Sequence, residues 1–431
     1  MDRLAYEDLC EWKNSKDRKP LIIRGVRQCG KTYLMKEFGK NNYGDTVYLE
    51  FSGNEFLCRI FDGDLVPERI ISALSIKIKK KITENTLLIF DEIQACPRAL
   101  SSLKYFNESA PEYDIICAGS LLGLQGEGSF PVGKVTFLNM YPMNFREFVN
   151  AAEPDLLKYI DEFGKDEFSA DRLSSLYGLY RAIGGMPEAV SKWLDTNDMC
   201  AVDTVLNNIC DSYRLDFLKH VPEKDIKKIN LIWSSIPDQL AKENRRFFFG
   251  HAVKGSRAKN LEDSLQWLVD AGMVHKVQRI ERPTKPLPKT SSDNMFKLYM
   301  MDIGVMRVMA GASASDAIDS LFDDRFEGGF TENLVACELV SYGYSDLHYW
   351  SSGNAAEVDF VFQSGNDIIP TEVKSGRHYR AASLNEYIDR YSPSKAIVIS
   401  EKGPMVNGIV TTVPLNMIWI IDGWIRRPSR H

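Results

Sequence analysis

At 431 residues, with 44% apolar and 26% charged residues, the chain has an ordinary globular composition and is long enough for two to four domains. Its net charge of −6 gives no global attraction to nucleic acid or to an anionic membrane, so any such binding must come from local patches. No run approaches the roughly 20 apolar residues that cross a bilayer, the opening MDRLAYEDLCEWKNSKDRK lacks the apolar core of a signal peptide, and eight scattered cysteines without a CxxC pair point to neither structural zinc nor a disulfide framework. A reduced, cytoplasmic compartment without membrane contact is the expectation.

In chain order, residues 1–19 read as a short charged helix. Five strands then alternate with helical stretches: PLIIRG (20–25), TVYLEFS (46–52), TLLIFDEI (86–93), YDIICAGS (113–120) and KVTFLNMYP (134–142). The first four are nearly continuous apolar runs, as strands buried on both faces of a parallel sheet require, and the helices between them suit right-handed crossovers. Residues 1–150 therefore read as one α/β domain. Residues 151–222 turn helical, interrupted by IGGMPEA (183–189). Three helical stretches follow, KDIKKINLIWSSI, PDQLAKENRR and SRAKNLEDSLQWLVDAG, and then MVHKVQRI and MFKLYMMD flank a Pro/Lys-rich loop. Three helices and a hairpin outline a winged helix over 223–310. The small, polar GASASDAIDS (311–320) reads as a linker. Residues 321–431 mix a helix with strands and form the last domain.

The stretch GVRQCGKT is Gly25-x4-Gly30-Lys31-Thr32, set between an apolar strand and a helix. Its chemistry explains its spacing. Glycines let backbone N–H groups curl around phosphates, so the segment from Gly25 through Val26, Arg27, Gln28, Cys29 and Gly30 to Lys31, Thr32 and Tyr33 is expected to hold ATP. Lys31 reaches the β- and γ-phosphates, Thr32 ligates Mg²⁺, and the helix N-terminus faces the anion. LLIFDEI supplies the partner: Asp91, at a strand end, holds Mg²⁺ through water, and Glu92 polarises the attacking water as general base. The expected activity is ATP hydrolysis. Ser120, ending the next strand, either senses the γ-phosphate or caps the following helix. Cys29 either responds to oxidants or fills space inside the loop.

Phosphate loop, DE strand, AGS strand and GGMP junction together resemble the AAA-related P-loop ATPases, in particular the archaeal-type ATPases. In such ATPases a lid-borne Gly-x-Pro turn lies against the nucleotide base. Gly185, Met186 and Pro187 match it, which implies ATP contacts from Gly185 and Pro187 and a helical lid over 151–222. The same residues equally suit a glycine-rich helix end followed by a helix that starts with Pro. The resemblance also implies a cation at the γ-phosphate. Relatives tend to show Gly-Arg where this chain has Gly133-Lys134, and Arg146 and Arg181 are the other candidates.

KENRRFFFGHAVKGSRAKN (242–260) sets Lys242, Arg245, Arg246, Lys254, Arg257 and Lys259 against one acid, Glu243. On a winged helix this is the footprint of phosphate-backbone contact, with the third helix, near 256–271, in the major groove. Glu262 and Asp263 on that helix oppose phosphate, and a packing role against a protein partner or a plain solvated face fits the segment as well.

EVDFVFQSGNDIIPTEVKSG (357–376) reads as two adjoining strands. Glu372 and Lys374, two apart, share a strand face, and a register that brings Asp359 beside them makes a carboxylate pair with a lysine. Hard oxygen ligands suit Mg²⁺, and Lys374 orients a water or stabilises charge. Glu332, in FTENLVACEL, adds a ligand. This set resembles the PD-(D/E)xK nucleases, with Val358 in place of the Pro that gives the pattern its name. The resemblance implies a metal site of Glu332, Asp359 and Glu372 with Lys374 as catalytic partner, acting on DNA or RNA. One alternative is cross-strand salt bridging, with Lys374 neutralising Glu372 and Asp359; a second is a fold kept for binding after loss of cleavage. The expected architecture is therefore α/β: a P-loop ATPase parallel sheet, a helical lid, a winged helix and a C-terminal restriction-endonuclease-like domain.

Overall fold

The computed structural model describes residues 1–119, 131–252, 261–287, 295–353, 356–375 and 382–425. It divides into two units, Met1–Tyr141 and Pro142–His431. In the first, the five apolar runs become β1 (Leu21–Arg24), β2 (Asp45–Glu50), β3 (Thr86–Asp91), β4 (Ile115–Ala118) and β5 (Thr136–Asn139). Neighbours pair in parallel, in the order β2-β3-β4-β1-β5. Every residue of β3 and β4 is buried, as continuous apolar strands demand. β2 departs from that expectation. It stands at the sheet edge, and there only Val47 and Leu49 are buried.

Helices Lys31–Asn42, Pro67–Ile78 and Pro97–Ser109 run between the strands. The last two begin with proline, whose missing N–H is an orphan at that position in any case. An edge-to-face trio of Phe51, Phe61 and Phe90, with centroids 5.5–6.1 Å apart, anchors the core beside Leu74 and Leu103. The strands are parallel and β4 separates β1 from β3. The loops that leave β1 and β3 therefore emerge at one end of the sheet, the carboxyl end, where open α/β sheets take ligands.

The second unit opens with helices Phe145–Ala152, Pro154–Phe163, Glu167–Ile183, Pro187–Thr196, Met199–His220 and Glu223–Leu240. Asn144 and Glu147 form a capping box on the first. The sequence suggests a break before Pro237, yet one helix passes through it. Ile229, Ile232, Trp233, Ile236 and Leu240 keep a buried stripe on both sides, and a proline this close to the helix end costs only one bond near the last turn. The expected linker also folds: Ala314–Asp319 is a short helix capped by Ser313.

Eight strands make the second sheet: β6 (Val274–Ile280), β7 (Phe296–Met300), β8 (His348–Ser351), β9 (Glu357–Ser364), β10 (Asp367–Lys374), β11 (Ala396–Ser400), β12 (Met405–Asn407) and β13 (Val410–Pro414). Their order is β12-β13-β11-β10-β9-β8-β6-β7. The β6–β7 hairpin expected as a wing is joined to β8, with Gln278 opposite His348, so one sheet runs across the boundary expected near 311–320. Trp350, Val358, Val361, Leu384 and Tyr387 form a core beneath it. Among the described residues no helix is long and apolar enough to cross a membrane.

Candidate functional site

β1 ends at Arg24, the chain turns through residues 25–30, and helix Lys31–Asn42 begins. Gly25 has φ 155°, and a Cβ there would lie 2.1 Å from the Met140 carbonyl oxygen, so no other residue fits. Gln28 (φ 63°) and Gly30 (φ 99°) take left-handed backbone that curls the loop. Lys31 is 7% exposed, and its ammonium donates to the carbonyls of Gly25 (2.8 Å) and Val26 (2.9 Å) across the turn. Arg3, unremarked in the sequence, braces the loop from behind by donating to the Cys29 carbonyl (2.7 Å) and the Tyr141 carbonyl (2.5 Å). Cys29 is fully buried, which favours the space-filling alternative. Tyr33 is 53% exposed at the start of the helix, and its hydroxyl accepts from the N-terminus at 3.4 Å.

The end of β3 completes the arrangement. Asp91 Oδ2 accepts from the Thr32 hydroxyl (2.6 Å) and the Tyr48 hydroxyl (2.9 Å), and its Oδ1 accepts from the Glu92 N–H (3.0 Å). Thr32 and Asp91, the residues of this unit expected to hold Mg²⁺, are thus in direct contact. Glu92 takes φ 50°, ψ 42°, a left-handed backbone that costs a non-glycine residue about 1–3 kcal/mol. Its carboxylate Oε2 accepts from Gln94 Nε2. Tyr48 and Gln94 carry no motif signal and were invisible to sequence reasoning. Ser120 lies outside the described residues. Lys134 pairs with Glu108 at 2.9 Å.

In the second unit, the GGMP junction is held by its own surroundings. Gly185 N–H donates to Asp302 Oδ2 (2.6 Å), its carbonyl accepts from Met143 N–H (2.7 Å), and a Cβ at Gly185 would meet the Met143 carbonyl at 1.9 Å. Pro187 starts the next helix. Packing therefore accounts for the glycine without a ligand. Of the candidate γ-phosphate cations, Arg181 is buried, paired with Glu327 at 2.8 Å and donating to the Ala317 carbonyl. Arg146 is paired with Asp161 at 2.7 Å.

The register between β9 and β10, Thr371 opposite Phe360, brings Asp359 beside Glu372. Asp359 Oδ2 accepts from the Val373 N–H at 2.8 Å, and Lys374 Nζ lies 2.6 Å from Glu372 Oε1. Among the described residues Glu372 Oε2 is buried with no hydrogen-bond partner. Asp359 and Glu372 thus lie side by side, with Lys374 already paired to Glu372 and Lys297 near Asp359. Glu332 is fully engaged within the fold: its oxygens are taken by Arg245, by Lys297 (3.3 Å) and by the Tyr299 hydroxyl (2.8 Å). Lys297, on β7, is 0% exposed and also reaches Glu357 (2.8 Å) and Asp359 (3.9 Å). Burial pushes Glu332 up, but Arg245 and Lys297 outweigh it and hold its carboxyl at about 2. Burial, together with the charges of Glu332 and Glu372, pushes Asp359 well above the carboxylate range. Among the described residues no group of three His, Cys, Asp or Glu side chains is arranged to hold a metal ion.

The basic stretch is only partly a surface feature. Arg245 turns onto Glu332, Arg246 lies 3.3 Å from Glu357, and Lys242 meets His251 at 2.8 Å. Lys254, Arg257 and Lys259 fall outside the described residues. Glu262 and Asp263 open helix Glu262–Asp270, where acids complement the helix dipole.

Residues 17–149 match a family described as an AAA domain. Residues 175–316 and 327–418 match two families described as domains of unknown function (DUF8612 and DUF4143). No curated protein matches the chain. Among solved structures it is similar to a Walker-type ATPase of Pyrococcus abyssi (16% identity, 72% of this chain and 95% of that one, TM-score 0.43). It is also similar to the ORC1 protein of Aeropyrum pernix in complex with DNA (12% identity, 75% and 91%, TM-score 0.30). A third is the RuvB Holliday junction branch migration motor of Thermotoga maritima (13% identity, 66% and 90%, TM-score 0.30). Family match, strand order and phosphate-loop geometry agree: residues 17–149 carry an AAA-related P-loop ATPase domain.

Proposed function

We propose that the protein is a Mg²⁺-dependent ATPase whose nucleotide state controls a nuclease-like C-terminal domain acting on DNA or RNA. The observation that carries the first half is the convergence of Lys31, Thr32, Asp91 and Glu92 at one end of the first sheet, with Thr32 and Asp91 in hydrogen-bond contact. Lys31 and the loop N–H groups bind the phosphates, and Thr32 and Asp91 hold Mg²⁺. The ion, when bound, neutralises charge on the β- and γ-phosphates. Glu92 takes the proton of the attacking water. The second half is supported by Asp359, Glu372 and Lys374 lying together on adjacent strands, with an unpartnered Glu372 oxygen.

A second reading is a nucleotide-switched regulator that binds nucleic acid, a protein partner or another copy of itself without cutting. One observation favours it: Lys297 and Arg245 already neutralise Glu332 from within the fold. One experiment separates the two. The protein is incubated with Mg²⁺ or Mn²⁺ and mixed single- and double-stranded DNA and RNA, with and without ATP, beside Glu92→Gln and Lys374→Ala. ATP turnover lost in Glu92→Gln, with binding kept, is the expected ATPase result; turnover at the wild-type rate rejects Glu92 as the base. Cleavage lost in Lys374→Ala marks a nuclease. ATP binding with no cleavage under any condition selects the regulator.

A further inference from the structure

Glu92 is a flexible side chain on a strained turn, and a general base works only when its carboxylate is held toward its water. The backbone of that turn is fixed: the Glu92 N–H donates to Asp91 Oδ1 at 3.0 Å, and its carbonyl accepts from the Ala95 N–H at 3.0 Å. The carboxylate is held by something else. Gln94, two residues on in the short helix Ile93–Ala95, is 8% exposed, and its Nε2 donates to Glu92 Oε2. A carboxylate only accepts, so the amide nitrogen must face it and the amide oxygen must turn away. Among the described residues that oxygen, Gln94 Oε1, is buried with no hydrogen-bond partner. A buried amide with one half spent on a catalytic carboxylate and the other half unmatched is costly as a structural element alone. Such a carbonyl is matched when a donor, such as a water, reaches it.

We propose that Gln94 is a positioning residue for ATP hydrolysis. Its Nε2 fixes the Glu92 carboxylate in the orientation from which it accepts the proton of the attacking water, and its free carbonyl is an acceptor for a water beside that carboxylate. The proposal rests on the ATPase reading given above. In the reaction, water oxygen forms the new bond to the γ-phosphorus, the bond to the β–γ bridging oxygen breaks, ADP leaves, and the water's proton passes to Glu92. Gln94 gains and loses nothing covalently.

The test uses the full chain with Mg²⁺ and ATP and compares wild type, Gln94→Met, Gln94→Glu and Glu92→Gln. Gln94→Met keeps the length and removes the donor. It should lower kcat about ten-fold with KM for ATP within about two-fold, a split that loss of folding or of nucleotide binding would not give. Gln94→Glu replaces the amide donor by a second carboxyl and should lower kcat at least as far, again with KM for ATP within about two-fold. Binding of a fluorescent ATP analogue shows that each variant is folded; if Gln94→Met does not fold, Gln94→Glu carries the test. An unchanged or raised kcat, or a fall in kcat that is matched by an equal rise in KM, overturns the role of Gln94. Wild-type turnover in Glu92→Gln, or no turnover in the wild type, overturns the ATPase assignment of Glu92 itself and Gln94's role with it.

Discussion

Asp91 and Glu332 are both buried acids that the sequence marks as metal ligands, and their surroundings differ in kind. Asp91 is met by two hydroxyls and a backbone N–H. Neutral donors orient a carboxylate but leave its charge for an ion. Glu332 is met by a guanidinium and an ammonium as well as a hydroxyl. Those cations cancel its charge, and a metal would have to displace them. The difference lies in the neighbours and not in the acids. A site kept ready for a cation lacks internal cations, and a carboxylate with two of them belongs to a buried salt-bridge network.

The sharpest way to break this comparison is to remove the internal cation. Lys297→Met leaves Glu332 with Arg245 and Glu357 with Arg246, and leaves Asp359 without the lysine beside it. Loss of one partner from such a network costs about 3–5 kcal/mol, so the urea midpoint of the second unit should fall steeply. Mn²⁺ should not restore it. A recovery with Mn²⁺ would mean that a metal takes over the carboxylates, and would move the balance back toward cleavage at Asp359 and Glu372.

Lys31→Ala tests the other side. Its ammonium reaches across the phosphate-loop turn, where it is held by two carbonyls. Removing a charge-assisted contact to a phosphate costs about 2–3 kcal/mol. ATP affinity should therefore fall about 100-fold in calorimetry while thermal stability without nucleotide changes little. Unchanged affinity would sink the nucleotide site.

The two sites were not equally legible. The phosphate loop could be read because its chemistry needs contiguous residues, and Gly25–Thr32 carries it in one stretch. Asp359, Glu372 and Lys374 could be read because strands alternate, and the turn at 364–367 fixes the register of β9 on β10. Lys297 could not. It stands in MFKLYMMD as one lysine in an apolar strand, and nothing local says that its counter-charges lie on α-helix and strand residues 332, 357 and 359. Arg245 and Arg246 were read as a nucleic-acid footprint for the same reason: sequence gives the sign of a charge but not its partner, here 87 and 111 residues away. The wing failed as a separate element because a hairpin's local pattern is silent about which strand lies beside it, and β6 lies beside β8.

Glu338 gives the comparison its third case, a fully buried acid met by neutral donors and with no metal role. Its Oε1 accepts from the Phe145 N–H (2.7 Å) and the Tyr180 hydroxyl (3.3 Å), and its Oε2 has no partner among the described residues. Burial, with Glu147 adding a like charge, pushes its carboxyl up to about 8, while the two donors pull the other way. Glu332, on the same helix, goes the opposite way because it has cations. The sign of the linkage follows. The proton held by the folded state stabilises it fully below the ordinary value of 4.5, and this contribution is lost as pH rises through about 8, because the unfolded chain ionises first. Glu338→Gln keeps the acceptor for both donors and cannot ionise. It should match the wild type near pH 5 and exceed it by roughly 1–3 kcal/mol at pH 9, read from urea midpoints across that range. Parallel curves for the two proteins would mean that Glu338 is charged in the folded state, and that neutral donors alone suffice to keep a buried carboxylate ionised in this fold.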